Sequence, residues 1–261
     1  RLRRGNVNAD GRGFLDVRDL SCVQSGKDVF VISRCGLMQK REDMSVEEFQ
    51  DYWLNVHGPI ASAMTNLRQY DQHVVVGAET SRAQGPVRID GYSELQFDSY
   101  GDMLEGVESL HGEGANDVPL FANPHCPILV LAKRSVIKIP EYLRGKKLVQ
   151  RVSFLGRAEG VSSERFAKEW WNIHDRLVQT VPGCVGYNQD LVIDRIDGGV
   201  SVSYDELPVE GMAELWFETR EALDEFCASP EFARASAHAA EFVGTIDTYL
   251  TETYPVAVPS V

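Results

Sequence analysis

The sequence predicts an α+β fold of two tandem ferredoxin-like repeats, each ordered βαββαβ, that together enclose a barrel-like interior. Three observations carry this: a stretch that occurs twice, an element order that repeats with it, and strands that leave one sheet face uncovered. Residues 44–57, MSVEEFQDYWLNVH, recur at 161–174 as VSSERFAKEWWNIH, with six identities in fourteen gapless positions. Ordinary residue frequencies give about one. The identical pairs are Ser45/Ser162, Glu47/Glu164, Phe49/Phe166, Trp53/Trp170, Asn55/Asn172 and His57/His174. The same offset aligns Tyr70 with Tyr187 and Gln72 with Gln189, and a slightly longer one aligns ELQF at 94–97 with ELWF at 214–217. The chain therefore reads as an internal duplication.

The elements follow in order. Residues 28–34, DVFVISR, alternate as a strand whose apolar run suits a central position. The repeated stretch is a helix: Ser45 and Glu48 form a capping box, with Met44 and Phe49 as its hydrophobic staple. Phe49, Trp53 and Val56 recur at helical spacing, as do Phe166, Trp170 and Ile173, so both helices bury an aromatic stripe. Gly58-Pro59 is expected to end the first helix at His57. Residues 69–76 and 91–97 read as strands around a polar loop, 99–110 as a helix, 112–127 as a loop and 128–139 as a strand. The second repeat offers strands at 148–155, 186–193, 211–217 and 245–254, and helices at 162–174, 220–229 and 231–243. These divide the chain into an extension (1–27), a first domain (28–139), a charged linker (140–147) and a second domain (148–261). One such unit covers a single sheet face with helices, so its other face needs a partner sheet, which the second repeat supplies.

Composition excludes several classes. Of 261 residues, 39 are acidic and 26 basic, and the net charge of −13 disfavours a nucleic-acid partner. No apolar run reaches membrane-spanning length, and no signal-peptide h-region is present. The five cysteines are scattered and include no CxxC pair, so neither a disulfide framework nor a zinc site is expected, and the cytoplasm is the expected compartment. Asn6, Asn8, Asp10 and Gly11 begin like a calcium loop, but Gly13 and Val17 stand where an aliphatic residue and a bidentate glutamate belong. An extension without a metal is the better reading.

Several residues qualify as a site. A histidine at a buried helix end is caught between the macrodipole, which favours its cation, and burial, which favours the neutral ring. His57 and His174 could therefore serve as acid or base, or hydrogen-bond the sheet as structural groups. Alternation on the third strands sends Leu95 and Phe97 toward the helices and Tyr92, Glu94 and Gln96 inward, with Met212, Glu214 and Trp216 their counterparts. Buried acids are costly unless paired or hydrated. Glu94 and Glu214 are thus either a feature of a cavity or ion pairs with Arg34 and Arg151, which also match across the repeats.

The run from Ser45 to Pro59, with Trp53, His57, Gly58 and Pro59, followed by Tyr70, Gln72 and His73, resembles the EthD family; residues 162–174 with Tyr187 and Gln189 resemble a diverged second copy. The likeness spans residues 28–138 and 147–254. It implies an intramolecular version of the dimeric α+β barrel, and chemistry of the lyase, isomerase or dehydratase kind without a metal or redox cofactor. The family's helix-end histidine maps to His57 and His174, although Asp175-Arg176 replaces Gly-Pro in the second copy and Asp190 replaces His73. The expected activity is acid–base catalysis by His57, His174 and Glu94 on a small aromatic, lactone or polyketide-like molecule, as in catabolism of aromatic compounds. Arg34, Tyr70, Gln72, His73, Tyr92, Arg151, Tyr187, Glu214 and Trp216 are the expected binding residues. Two alternatives stand beside it: a haem-binding or cofactor-free oxidative enzyme of the same barrel superfamily, and a non-catalytic ligand-binding accessory protein. Association of two tandem chains into a homodimer is left open.

Overall fold

The computed structural model describes residues 31–79, 84–110 and 117–256. The extension, with its calcium-like loop, and the first residues of the opening strand lie outside these. The first repeat comprises β1 (Val31–Met38), α1 (Val46–Tyr52), α2 (Gly58–Ala61), β2 (Gln69–Glu79), β3 (Gly91–Phe97), α3 (Tyr100–Ser109), α4 (Val118–Phe121) and β4 (Ile128–Ile137). The second comprises β5 (Val149–Arg157), α5 (Ser163–Glu169), α6 (Asp175–Gln179), β6 (Gly186–Asp197), the short β7 (Val200–Ser201), β8 (Gly211–Phe217), α7 (Arg220–Ala228), α8 (Pro230–Ala239) and β9 (Val243–Val256). Each repeat gives the expected βαββαβ order.

The two sheets do not pack face to face. They join edge to edge: β2 pairs antiparallel with β9, from Tyr70↔Val256 to Glu79↔Thr248, and β4 pairs with β6, from Ile128↔Ile196 to Ile137↔Tyr187. The order β4-β1-β3-β2-β9-β5-β8-β6 closes through β4 and β6 into an eight-stranded antiparallel barrel, with β7 appended to β6. Closure satisfies the edge strands that separate sheets would leave exposed.

Helices wrap the outside. Ser45 caps α1 with the reciprocal Glu48 bond, and Ser162 caps α5 through the Arg165 amide. Neither repeated helix ends at its histidine. Trp53–His57 and Trp170–His174 are π-helical turns that continue into α2 and α6. Pro59 does not stop the first, because proline is tolerated in the opening turn of α2. The first carbonyl of each widened turn accepts the Gly58 or Asp175 amide and has a second, fixed partner: Gln72 Nε2 donates to Trp53 O, and Gln189 Nε2 to Trp170 O, both at 2.9 Å. The same amides donate to Tyr70 and Tyr187. Each tryptophan ring packs against a strand glycine, Gly91 or Gly211, where a Cβ would sit 2.5 or 2.3 Å from the indole. The repeated Trp, Gly, Tyr and Gln are thus one packing device used twice.

Two layers of core result. One lies between the sheet and the helices, around Phe97, Phe166, Trp170 and Phe217. The other fills one end of the barrel interior with Leu131, Val152, Phe154, Val192 and Met212. The remainder of the interior is polar and open.

Candidate active site

Strand alternation places eight side chains in a ring across the barrel, four from each repeat. The first repeat contributes Ser33, His73, Glu94 and Lys133; the second contributes Gln150, Asp190, Glu214 and Thr253. Strand registers match them across the repeats. Ser33 opposes Leu131 on β4 as Gln150 opposes Thr251 on β9, which puts Lys133 and Thr253 at equivalent points. The glutamates are identical, and the other three pairs differ.

Lys133 Nζ is the central cation of the ring. It bonds Glu94 Oε1, lies 2.5 Å from Glu214 Oε2, and is 3.9 Å from Asp190 Oδ2. Burial works against its charge, but the surrounding carboxylates, those of Glu214 and Glu94 among them, outweigh burial and raise its pKa well above the ordinary lysine value. Burial also pushes Glu94 upward, yet Lys133 and His73 prevail and hold it ionised, below the usual carboxylate range. At Asp190 burial wins. Lys133 opposes it, Glu214 and Glu94 reinforce it, and the carboxyl is driven well above its usual range, favouring its protonated form. Neither Asp190 oxygen has a hydrogen-bond partner among the described residues.

The hydrogen bonds around His73 fix its tautomer. Gln150 Nε2 donates to Tyr92 OH and Glu214 Oε1, each at 3.0 Å, so Gln150 Oε1 is the acceptor end of that amide. It takes the hydroxyls of Thr251 (2.9 Å) and Thr253 (2.8 Å), and His73 Nδ1 lies 3.0 Å from it. Nδ1 therefore carries a proton, and the ring is held flat against Tyr92, with centroids 4.2 Å apart. His73 Nε2 is buried, has no hydrogen-bond partner, and lies 3.5 Å from Glu94 Oε2. An oriented imidazole with one uncommitted nitrogen next to an ionised carboxylate is equipped to take up or release a proton.

His73, Glu94, Lys133, Gln150 and Thr253 of this ring floor a cavity of about 1040 Å³, lined also by Asp71 and Trp216 among others. Asp71, His73 and Glu94 each bring one ligand atom within 4.8 Å of the others, a donor set that suits a divalent cation. Lys133 already occupies Glu94 Oε1, however, and its charge competes with a metal's at that oxygen.

The sequence-predicted residues fall into two groups. His73, Tyr92, Glu94, Glu214 and Trp216 meet inside the barrel. His57, His174, Arg34, Tyr70, Gln72, Arg151 and Tyr187 lie on its helix-covered face. The expected ion pairs of Glu94 with Arg34 and Glu214 with Arg151 do not form. Arg34 sits opposite Leu95 and Arg151 opposite Leu215, on the strand faces turned away from the glutamates. Arg151 pairs with Glu79 at 2.9 Å. Tyr70 and Gln72 serve the π-turn carbonyl. His57 Nδ1 lies 2.8 Å from Asp117 Oδ1, with Phe121 against its ring. His174 stacks on His238, and burial, then the neighbouring histidine, lowers its pKa to about 4. His174, Trp170 and Tyr187 line a second, more apolar cavity of about 500 Å³ between the sheet and helices of the second repeat. Lys133, Gln150 and Thr253 went unnoticed in the sequence. Lys133 was the findable one, since it opens the polar end of the apolar run ILVLA on β4.

Fold and cavity define an α+β barrel closed by two ferredoxin-like repeats within one chain. The chain belongs to the EthD family: the model of the EthD domain matches residues 41–125 and again 158–246. Among solved structures, an anthrone oxidase-like protein is similar in fold, with a TM-score of 0.60 at 10% identity over 90% of this chain and 98% of that one. A proposed monooxygenase from Lactobacillus acidophilus NCFM has a TM-score of 0.52 at 12% identity, over 90% of this chain and 99% of that one. Another from Fusobacterium nucleatum has 0.53 at 8%, over 90% and 98%. No curated protein sequence matches the chain. Among the described residues no helix is long and apolar enough to cross a membrane.

Proposed function

We propose that this protein is an acid–base enzyme whose reaction takes place in the barrel cavity, of the isomerase, lyase or dehydratase kind, on a small aromatic, lactone or polyketide-like molecule. The observation that carries this reading is His73, locked through Nδ1 to Gln150 with Nε2 uncommitted at the floor of an open cavity. Nε2 takes a proton from carbon next to a substrate carbonyl, leaving the electron pair as an enolate, while Glu94 balances the imidazolium charge. Return of the proton to a different carbon is an isomerisation; its delivery to a leaving hydroxyl releases water.

The names of the neighbours in fold, oxidase-like and monooxygenase, favour one second reading, in which the same enolate is attacked by dioxygen. A panel of enolisable lactones and hydroxy-ketones incubated in deuterium oxide, followed by proton NMR and an oxygen electrode, tests both. Wild-type protein should introduce deuterium or convert substrate. His73→Gln should lose about 10²- to 10⁴-fold of that rate, and His57→Gln should stay near wild type. Oxygen uptake at the rate of conversion selects the oxidative reading. Dependence on His57 with indifference to His73 moves the chemistry to the helix side and overturns the proposal, and ligand binding without turnover leaves an accessory protein.

A further inference from the structure

The mouth of the barrel cavity carries charge opposite to that of the whole protein. Residues 138–147 connect the repeats across it as KIPEYLRGKK, four cations and one anion in a chain of net charge −13. Lys138, Arg144, Lys146 and Lys147 all line the cavity. Lys147 is matched by Glu252 at 2.7 Å, whereas Lys138, Arg144 and Lys146 have no carboxylate partner among the described residues. Below this rim the wall carries apolar side chains, Ile137, Ile139, Leu143, Leu148 and Trp216, among the polar Gln69, Gln96, Ser135 and Asn188. Lower still, the floor cation Lys133 is already bonded to Glu94 and Glu214. An anion reaching the floor would meet those two carboxylates and an ammonium already engaged by both, and would lose its hydration there. An anion halted at the rim meets unpaired cations in partial contact with water.

On the reading of the barrel cavity as the active site, we infer that its substrate is an amphipathic organic anion that binds with its anionic group at the Lys138–Arg144–Lys146 rim, its apolar body along the wall, and an uncharged reacting end at His73. The arrangement fixes which end of the molecule reacts. A carbonyl or hydroxyl far from the anionic group reaches His73 Nε2, and one beside it does not. Arg144 suits a carboxylate or a phosphate ester through its paired N–H groups.

Two dyes of the same ring skeleton test this: anilinonaphthalene sulfonate, an anion, and the uncharged phenylnaphthylamine. Both are titrated by fluorescence into the wild type, into the triple charge reversal Lys138→Glu/Arg144→Glu/Lys146→Glu, and into a control reversal of exposed arginines on the second repeat's helices, Arg165→Glu/Arg220→Glu/Arg234→Glu. The rim reversal should weaken the sulfonate at least about tenfold, leave the neutral dye within about twofold, and exceed the control reversal by a similar margin. The neutral triple with glutamine at the three rim positions gives the same ranking should the reversal fold poorly. Displacement of the dye by naphthoate ahead of naphthyl phosphate supports a carboxylate, and the opposite order a phosphate ester. Equal loss for both dyes, equal loss in the control, absence of sulfonate binding, or displacement by uncharged naphthol as tight as by either anion overturns the inference. His73→Gln should leave these affinities within about twofold, so the rim and the proton chemistry fail separately.

Discussion

The two repeats are nearly alike on their helix side and unlike inside the barrel. Outside, each has a Ser-capped helix, a π-turn from tryptophan to histidine, a glycine beneath the indole, and a Tyr-x-Gln strand that closes the turn. Inside, three of four ring positions differ: Ser33 against Gln150, His73 against Asp190, and Lys133 against Thr253. The difference shows what each surface must do. Each repeat has to cover its own sheet, so that device is needed twice. The ring is shared, and symmetry would ruin it. Two copies of the second repeat's set would bury four carboxyl groups with no cation, which the interior could not hold ionised. Two copies of the first would supply cations but no protonated acid. In the ring as built, one cation serves both glutamates and the acid opposite His73 favours its neutral form, which keeps the buried charge small.

The largest expected effect is at the ring. Lys133→Met leaves Glu94 and Glu214 buried without their cation and should cost about 3–5 kcal/mol, whereas Thr253→Val, at the matching position, should cost about 1 kcal/mol. Urea unfolding of both variants measures the gap. Adding Glu94→Gln and Glu214→Gln to Lys133→Met should recover most of the loss. Equal costs at the two positions would mean that the asymmetry of the ring is not electrostatic. On the helix side the repeats should instead behave alike: Trp53→Ala and Trp170→Ala should each cost about 3–5 kcal/mol through the cavity they leave. Both should unfold in one transition, because β2–β9 and β4–β6 stitch the halves together. Two resolved transitions would show that the repeats are thermodynamically separate.

Local features were legible in the sequence and pairings distant along the chain were not. The Ser45–Glu48 box, the element order, and the inward direction of Tyr92, Glu94 and Trp216 follow from spacing alone, since cap geometry and strand alternation are set by neighbours. The partner of Glu94 is Lys133, on the far strand of the same repeat, and sequence offered Arg34 because it matches Arg151. The β1–β3 register rules against that choice: Leu95 faces the helices, and Arg34 pairs with Leu95. The π-turn was hidden because W-x-x-x-H has ordinary helical spacing, and the side chain that bonds its carbonyl, Gln72, stands nineteen residues away. Edge closure depends on β9 reaching β2 across most of the chain, which no local pattern encodes.

The histidines sharpen the contrast at a smaller scale. Burial and the His238 ring keep His174 neutral in the fold, with its pKa lowered to about 4. In the unfolded chain the ring protonates near its ordinary value of 6.5. Its contribution to stability is therefore complete above pH 6.5 and is lost as pH falls through 4. That loss is worth about 3 kcal/mol. Subtracting the stability of His174→Phe from that of wild type, across this window, isolates the term. A flat difference would show that folding does not shift the His174 titration.

The smallest effects test whether the helix-side device is the same in both halves. Gln72→Leu removes the donor to Trp53 O and to the Tyr70 hydroxyl, bonds of 2.9 and 2.7 Å. Gln189→Leu removes the equivalents, both 2.9 Å. In each case the π-turn carbonyl keeps one bond, from the Gly58 or Asp175 amide, and loses its second. The side chain is buried, so no water replaces the lost donor, and each substitution should cost about 1–2 kcal/mol. Equality matters more than size here. Gly58 is followed by Pro59, which lacks an amide hydrogen, whereas Asp175 is followed by Arg176, which has one. If glutamine is what fixes the turn, that difference is irrelevant and the two costs agree, with matching loss of hydrogen-exchange protection at Gly58 and Asp175. A larger cost at Gln72 would mean that proline had weakened the first turn, and that the glutamine compensates there for a bond the second turn still makes by itself.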